Sequence, residues 1–132
     1  EGLASVSKRL GVTAFRFSDL ELPLILSTPE RASLEIVDEL PNHESWEAVT
    51  ETFGGLVNLR PALVMKLLKA CNSIKTKRLF LVQAELHGHS WVKHLKLKDL
   101  DLGEGKRQIF QGGVLHPTYL VTVPKVNHGS GF

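Results

Sequence analysis

Cys71-Asn72-Ser73-Ile74-Lys75-Thr76-Lys77-Arg78-Leu79-Phe80-Leu81-Val82-Gln83-Ala84-Glu85-Leu86-His87-Gly88 is the stretch on which the fold turns. A polar start at Asn72-Ser73, apolar residues at Leu79, Val82 and Leu86, and a glycine stop at Gly88 predict a helix. Its first turns hold the cations Lys75, Lys77 and Arg78 and no acid. The N-terminal end of a helix dipole favours anions by about 0.3–1 kcal/mol per charge, so these cations oppose local stability. They ask for a partner anion such as phosphate, nucleic acid or an acidic protein face. The plain alternative is a solvated rim, or a helix that starts earlier.

Working upstream, Pro61 opens a helix with Leu63, Leu67, Leu68 and Cys71 on its apolar side. Ser45 caps another, in which Trp46, Val49 and Phe53 share a face and Gly54-Gly55 ends the pattern. Ser27-Thr28-Pro29-Glu30 begins the first helix, with Ser27 and Glu30 at capping-box spacing. That helix runs to about Leu40, with Ala32, Ile36, Val37 and Leu40 as its buried stripe and Glu35, Asp38 and Glu39 outside, and Pro41 stops it. Residues 12–17 alternate with Phe15 and Phe17 on one face, and 22–26 is a second apolar run with Pro23 suited to an edge. These two read as a hairpin or a pair of edge strands.

Downstream, residues 90–95 suit a short fifth helix. Residues 106–111 and 119–123 suit strands with Gly112-Gly113 as their turn, and 126–132 form a Gly/His/Ser tail expected to fray. The sum is an α+β fold: a helical middle of about five helices, with short strands at both ends forming a small antiparallel sheet. We expect residues 1–125 to be one domain, since 132 residues suit a single core.

The formal charge of +2 conceals polarity. Residues 60–107 hold 11 Lys and Arg against 4 Asp and Glu, whereas residues 1–59 hold 4 against 10. Such asymmetry speaks to partners, not to fold. The candidate basic binding surface is Lys75, Lys77, Arg78, Lys93, Lys96, Lys98, Lys106 and Arg107. In the acidic half, Glu35, Asp38, Glu39, Glu44, Glu47 and Glu51 can mimic nucleic acid or meet a basic partner, and a solvated face is the plain reading.

Other signals favour structure over chemistry. Trp91, beside Lys93, suits the core better than a stacking platform. His87, His89 and His94 lack a zinc spacing, and no cofactor or metal is expected. Gly103-Glu104-Gly105-Lys106-Arg107 lacks the phosphate-loop spacing and precedes a strand, so a loop into a hairpin is expected. Cys71 on an apolar face reads as a small core residue with no base nearby, and catalysis is not expected. A lone cysteine and the lack of a long apolar run suit a reducing, cytoplasmic setting without a membrane span.

Taken in order, Leu26-Ser27-Thr28-Pro29-Glu30-Arg31-Ala32, Leu59-Arg60-Pro61, the 71–81 core, Gly88–Leu95, Leu102–Arg107 and the Gly112-Gly113…Tyr119…Thr122-Val123-Pro124-Lys125 ending resemble one family. This is the C-terminal domain of the AbiEi-like antitoxins of abortive-infection, type IV toxin–antitoxin systems. Val92 and His94 stand where that pattern leads us to expect an aromatic and a basic residue. The resemblance implies a bacterial phage-defence protein whose C-terminal domain neutralises a nucleotidyltransferase-like toxin, without requiring a stable complex. It also implies an N-terminal winged helix-turn-helix that binds duplex DNA and represses the operon, and the 26 residues before the capping box are too few for it. An accessory DNA-binding role for this chain is the alternative function.

Overall fold

The computed structural model of the chain describes residues 12–16 and 23–125, with side chains from Thr28 onward. Strand β1 (Val12–Arg16) pairs antiparallel with β2 (Pro23–Ser27), so the expected N-terminal hairpin is present. The face assigned to Phe15 and Phe17 lies outside the described residues. Helices α1 (Pro29–Asp38), α2 (Trp46–Gly54), α3 (Pro61–Ala70) and α4 (Ile74–His87) follow. Two 3-10 turns, Ser90–His94 and Leu97–Asp99, lead into β3 (Val114–Leu115) and β4 (Thr122–Val123), which pair antiparallel. The α+β order is as expected, and the fifth helix is the first 3-10 turn. Among the described residues each end pairs with itself, giving two separate two-stranded ladders.

The caps explain why the helices start where they do. Ser45 and Ser73 accept from Ala48 N and Thr76 N, and Gly88 closes α4 in the left-handed region at φ 59°. In α1 the cap is Thr28, which accepts from Arg31 N, in place of Ser27. Glu30 therefore makes no capping box. It is 2% exposed and turned inward, where its carboxylate accepts from Arg60 N at 2.7 Å, Arg60 Nε at 3.1 Å and Arg60 Nη2 at 3.1 Å. Burial pushes this carboxyl up, but the Arg60 hydrogen bonds and charge outweigh it and hold the group down at about 2. The entry to α3, whose N-cap residue Arg60 makes no side-chain cap bond, is thus tied to the start of α1. With Glu30 inside, the buried stripe of α1 is Glu30, Ser33, Leu34 and Val37, and Ala32 is exposed.

Helix α4 is the axis of the packing. Every residue from Thr76 to Ala84 is buried, as expected of a helix with neighbours on all sides. Around it the ring of Phe80 meets Phe53 at 5.3 Å and Trp91 at 6.1 Å. Trp91 is a core residue, 3% exposed, and its indole N–H donates to Leu56 O at 2.7 Å. Cys71 is buried at the end of α3, and desolvation raises its thiol pKa.

The expected strand over 106–111 does not form. Only Arg107 makes a bridge, to Val121, while Ile109 N and Phe110 N both donate to the Thr122 hydroxyl. Phe110 packs edge-on against Trp46 with ring centres 5.6 Å apart. Beyond the backbone bonds of Arg107, one threonine side chain and one aromatic contact hold this segment in place of a ladder, and β3 begins after Gly113.

Candidate interaction surface

Ser73 starts α4 beside the C-terminal end of α1. There Lys75 Nζ donates to Asp38 O at 3.1 Å and Leu40 O at 2.6 Å, while the Thr76 hydroxyl donates to Asp38 Oδ1 at 2.8 Å. The carbonyls leaving a helix carry partial negative charge, so the end of α1 is one anionic partner that the cation-rich start of α4 requires. Lys75 is half-buried in this role.

Lys77 and Arg78 lie inside the protein, at 5% and 3% exposure, so they leave the candidate basic surface. Lys77 Nζ donates to Asp101 O at 2.9 Å. Arg78 Nε donates to Leu102 O at 2.8 Å, and its Nη1 donates to Gly105 O at 2.6 Å and Leu120 O at 3.4 Å. Two successive α4 residues therefore hold the loop over residues 101–105 by its backbone. That loop passes through Gly103 and Gly105 at φ 71° and 79°, a region glycine enters without strain.

A second loop meets it. His116 is buried, and its Nδ1 accepts from Thr118 N and Tyr119 N, which places the ring proton on Nε2; burial lowers its pKa. Leu120 sits at φ 54° and is the non-glycine residue at positive φ among those described. Its amide donates to His116 O, and its carbonyl accepts from Arg107 N at 2.9 Å as well as from Arg78. Tyr119 beside it has its phenol pushed up to about 12, by burial and then by the neighbouring Glu85 carboxylate. Arg78, Leu102, Gly103, Glu104, Gly105, Thr118, Tyr119 and Leu120 line a cleft of about 300 Å³ between the two loops.

The remaining candidate residues are exposed. Lys93 projects from the first 3-10 turn, Lys98 from the second, and Lys96 from between them, while Lys106 and Arg107 follow the glycine loop. Lys66 and Lys69 are exposed on α3. The interior cations thus fix the loop from which Lys106 and Arg107 project. On the acidic side, Glu35 pairs with Arg31 at 3.3 Å and Asp38 is taken up by Thr76, whereas Glu39, Glu47 and Glu51 are exposed. His87 Nδ1 lies 2.9 Å from Gln83 O and His89 Nε2 lies 2.9 Å from Phe53 O. No cluster of His, Cys, Asp and Glu suited to a metal occurs among the described residues, and none of their helices is long and apolar enough to cross a membrane. Sequence reasoning missed the Glu30–Arg60 tie and the His116 turn. Both Glu30 and Arg60 stand in motif-like blocks, but nothing local links residues 30 positions apart.

Fold and surface together define a small α+β domain that presents cations from short turns on a helical core. The family model that matches the chain, over residues 8–124, is that of a transcriptional regulator, the AbiEi antitoxin of type IV toxin–antitoxin systems. The chain belongs to this family. No curated protein and no solved structure matches it.

Proposed function

We propose that this chain is the antitoxin effector domain of a bacterial, cytoplasmic type IV abortive-infection system, acting as one domain over residues 1–125. It counters a nucleotidyltransferase-like toxin through an exposed basic face made by Lys93, Lys96, Lys98, Lys106 and Arg107. The observation that carries this reading is the family match over residues 8–124, joined by the exposure of these five cations. Lys75, Lys77 and Arg78 serve it indirectly, by holding α1 and the 101–105 loop in place. The test is growth rescue from the cognate toxin by the chain alone, set against the charge-reversed variant Lys93→Glu/Lys96→Glu/Lys98→Glu. These side chains are exposed and outside the core, so the variant is expected to fold normally and to lose protection. Full protection by the folded variant refutes the basic face.

The same cations favour a second reading, an accessory contact to duplex DNA that aids operon repression. It predicts weak binding whose log K falls with log salt, by a slope of about 0.9 for each phosphate neutralised. A flat salt dependence, or no binding at low salt, rules it out.

A further inference from the structure

The cleft between the two loops holds a buried positive charge that no carboxylate among the described residues pairs with, although the exposed Glu104 also lines the cleft. Arg78 is 3% exposed, and among the described residues its hydrogen bonds run to the backbone carbonyls of Leu102, Gly105 and Leu120. No carboxylate among the described residues lies within ion-pairing distance of it; the pairs they form join Arg31 to Glu35 and Arg60 to Glu30. Its Nη2 has no acceptor among the described residues and, unlike Gln83 Oε1, is not sealed from solvent. A buried guanidinium without an anion is an unfavourable arrangement, and unpaired buried charge concentrates where ligands bind. Desolvation and then the nearby positive charge of Arg107 lower the pKa of the Arg78 guanidinium. Arg107 lies beside the cleft and outside its lining: its backbone N–H and Arg78 Nη1 donate to the same carbonyl, that of Leu120.

The walls say what accompanies the anion. Leu102, Tyr119 and Leu120 give the cleft apolar sides, and Thr118 adds a hydroxyl. Its volume of about 300 Å³ exceeds what a bare oxyanion fills. We propose that this cleft binds a phosphate monoester, its phosphoryl oxygens on Arg78 Nη2 and the Thr118 hydroxyl, its organic body against Leu102 and Leu120. A dianion matches the paired charges of Arg78 and Arg107 better than a single carboxylate, and a guanidinium edge suits phosphoryl oxygens. The site shares Arg107 with the basic face but none of its lysines, and it is read by binding, independently of growth rescue.

The test is an amide-shift titration of the full chain with adenosine 5′-monophosphate, inorganic phosphate and adenosine. Saturable shifts at Gly103, Gly105 and Leu120 are expected with the two phosphates, stronger with the monophosphate, and none with adenosine. Arg107→Gln weakens binding by on the order of fivefold through loss of a nearby charge, and Glu104→Gln tightens it. Both residues are exposed, so neither variant depends on rebuilding the Arg78 carbonyl cage. Lys69→Gln, on α3 and away from the cleft lining, leaves binding unchanged. Shifts that fail to saturate, that spread over residues 93–98, or that ignore Arg107→Gln overturn the proposal. So does a duplex without terminal phosphates that shifts the same amides more tightly than the monophosphate.

Discussion

Replacing Glu30 by glutamine probes the tie between α1 and α3 and tests how its charge is held. The carboxylate is 2% exposed and receives three donors from Arg60. Glutamine keeps an oxygen for Arg60 N but sets an amide against the guanidinium. The folded value of about 2 against an ordinary 4.5 corresponds to an upper bound near 3.4 kcal/mol, at about 1.36 kcal/mol per unit. Arg60 is well exposed, with 63% of its side-chain surface accessible, and screening there brings the expected figure to about 2 kcal/mol. The sign follows from the direction of the shift. A carboxyl held below its unfolded value contributes its full stability above pH 4.5 and loses it as pH falls towards 2. Thermal unfolding of both proteins from pH 7 to pH 2.5 is the assay. At pH 7 the variant should melt roughly 6–10 °C lower, at about 3–5 °C per kcal/mol for a domain of this size. The gap should narrow steadily below pH 4.5. A constant gap at every pH, or none at pH 7, refutes the account of the ion pair.

Three further outcomes follow from the packing. Trp91→Phe keeps most of the ring contact with Phe80 but strands the Leu56 carbonyl, and chemical denaturation should register a loss of about 1–2 kcal/mol. Gly113→Ala places a methyl against the Val123 carbonyl, whereas Gly112→Ala meets open space at φ 72°; the former should cost about 3 kcal/mol and the latter about 1–2 kcal/mol by the same measurement. Burial lowers the pKa of His116, so its contribution is complete above its unfolded value and lost as pH falls through the folded one. His116→Asn should flatten that part of the stability profile, as a pH series of denaturation midpoints will register.

Local chemistry made α2, α3 and α4 readable in advance. Ser45, Ser73, Pro61 and Gly88 act on backbone groups within a turn of themselves, so their meaning does not depend on the rest of the chain. The misread positions answer to distant partners. Glu30 has the spacing of a capping residue but is claimed by Arg60, and the Thr28 hydroxyl takes the cap. Lys77 and Arg78 read as surface because charges usually are, yet carbonyls more than 20 residues downstream bury them. The dipole conflict at the start of α4 was a true signal of partners, and backbone groups within the chain supply most of them. Residues 106–111 have strand composition, but the Thr122 hydroxyl satisfies the amides that a ladder would have used. The exposed cations were legible because exposed lysine is the rule.

The sheathing of α4 from Thr76 to Ala84 bears on how the domain meets any partner. A rod enclosed on all sides has no face to rotate outward and no free path along which to slide. The amides of that segment should exchange with solvent only when the whole domain opens, at the free energy of global unfolding. Recognition then falls to the peripheral turns as preformed surfaces. Encounters should resemble docking of a rigid body, with changes in affinity appearing in residence time more than in association rate.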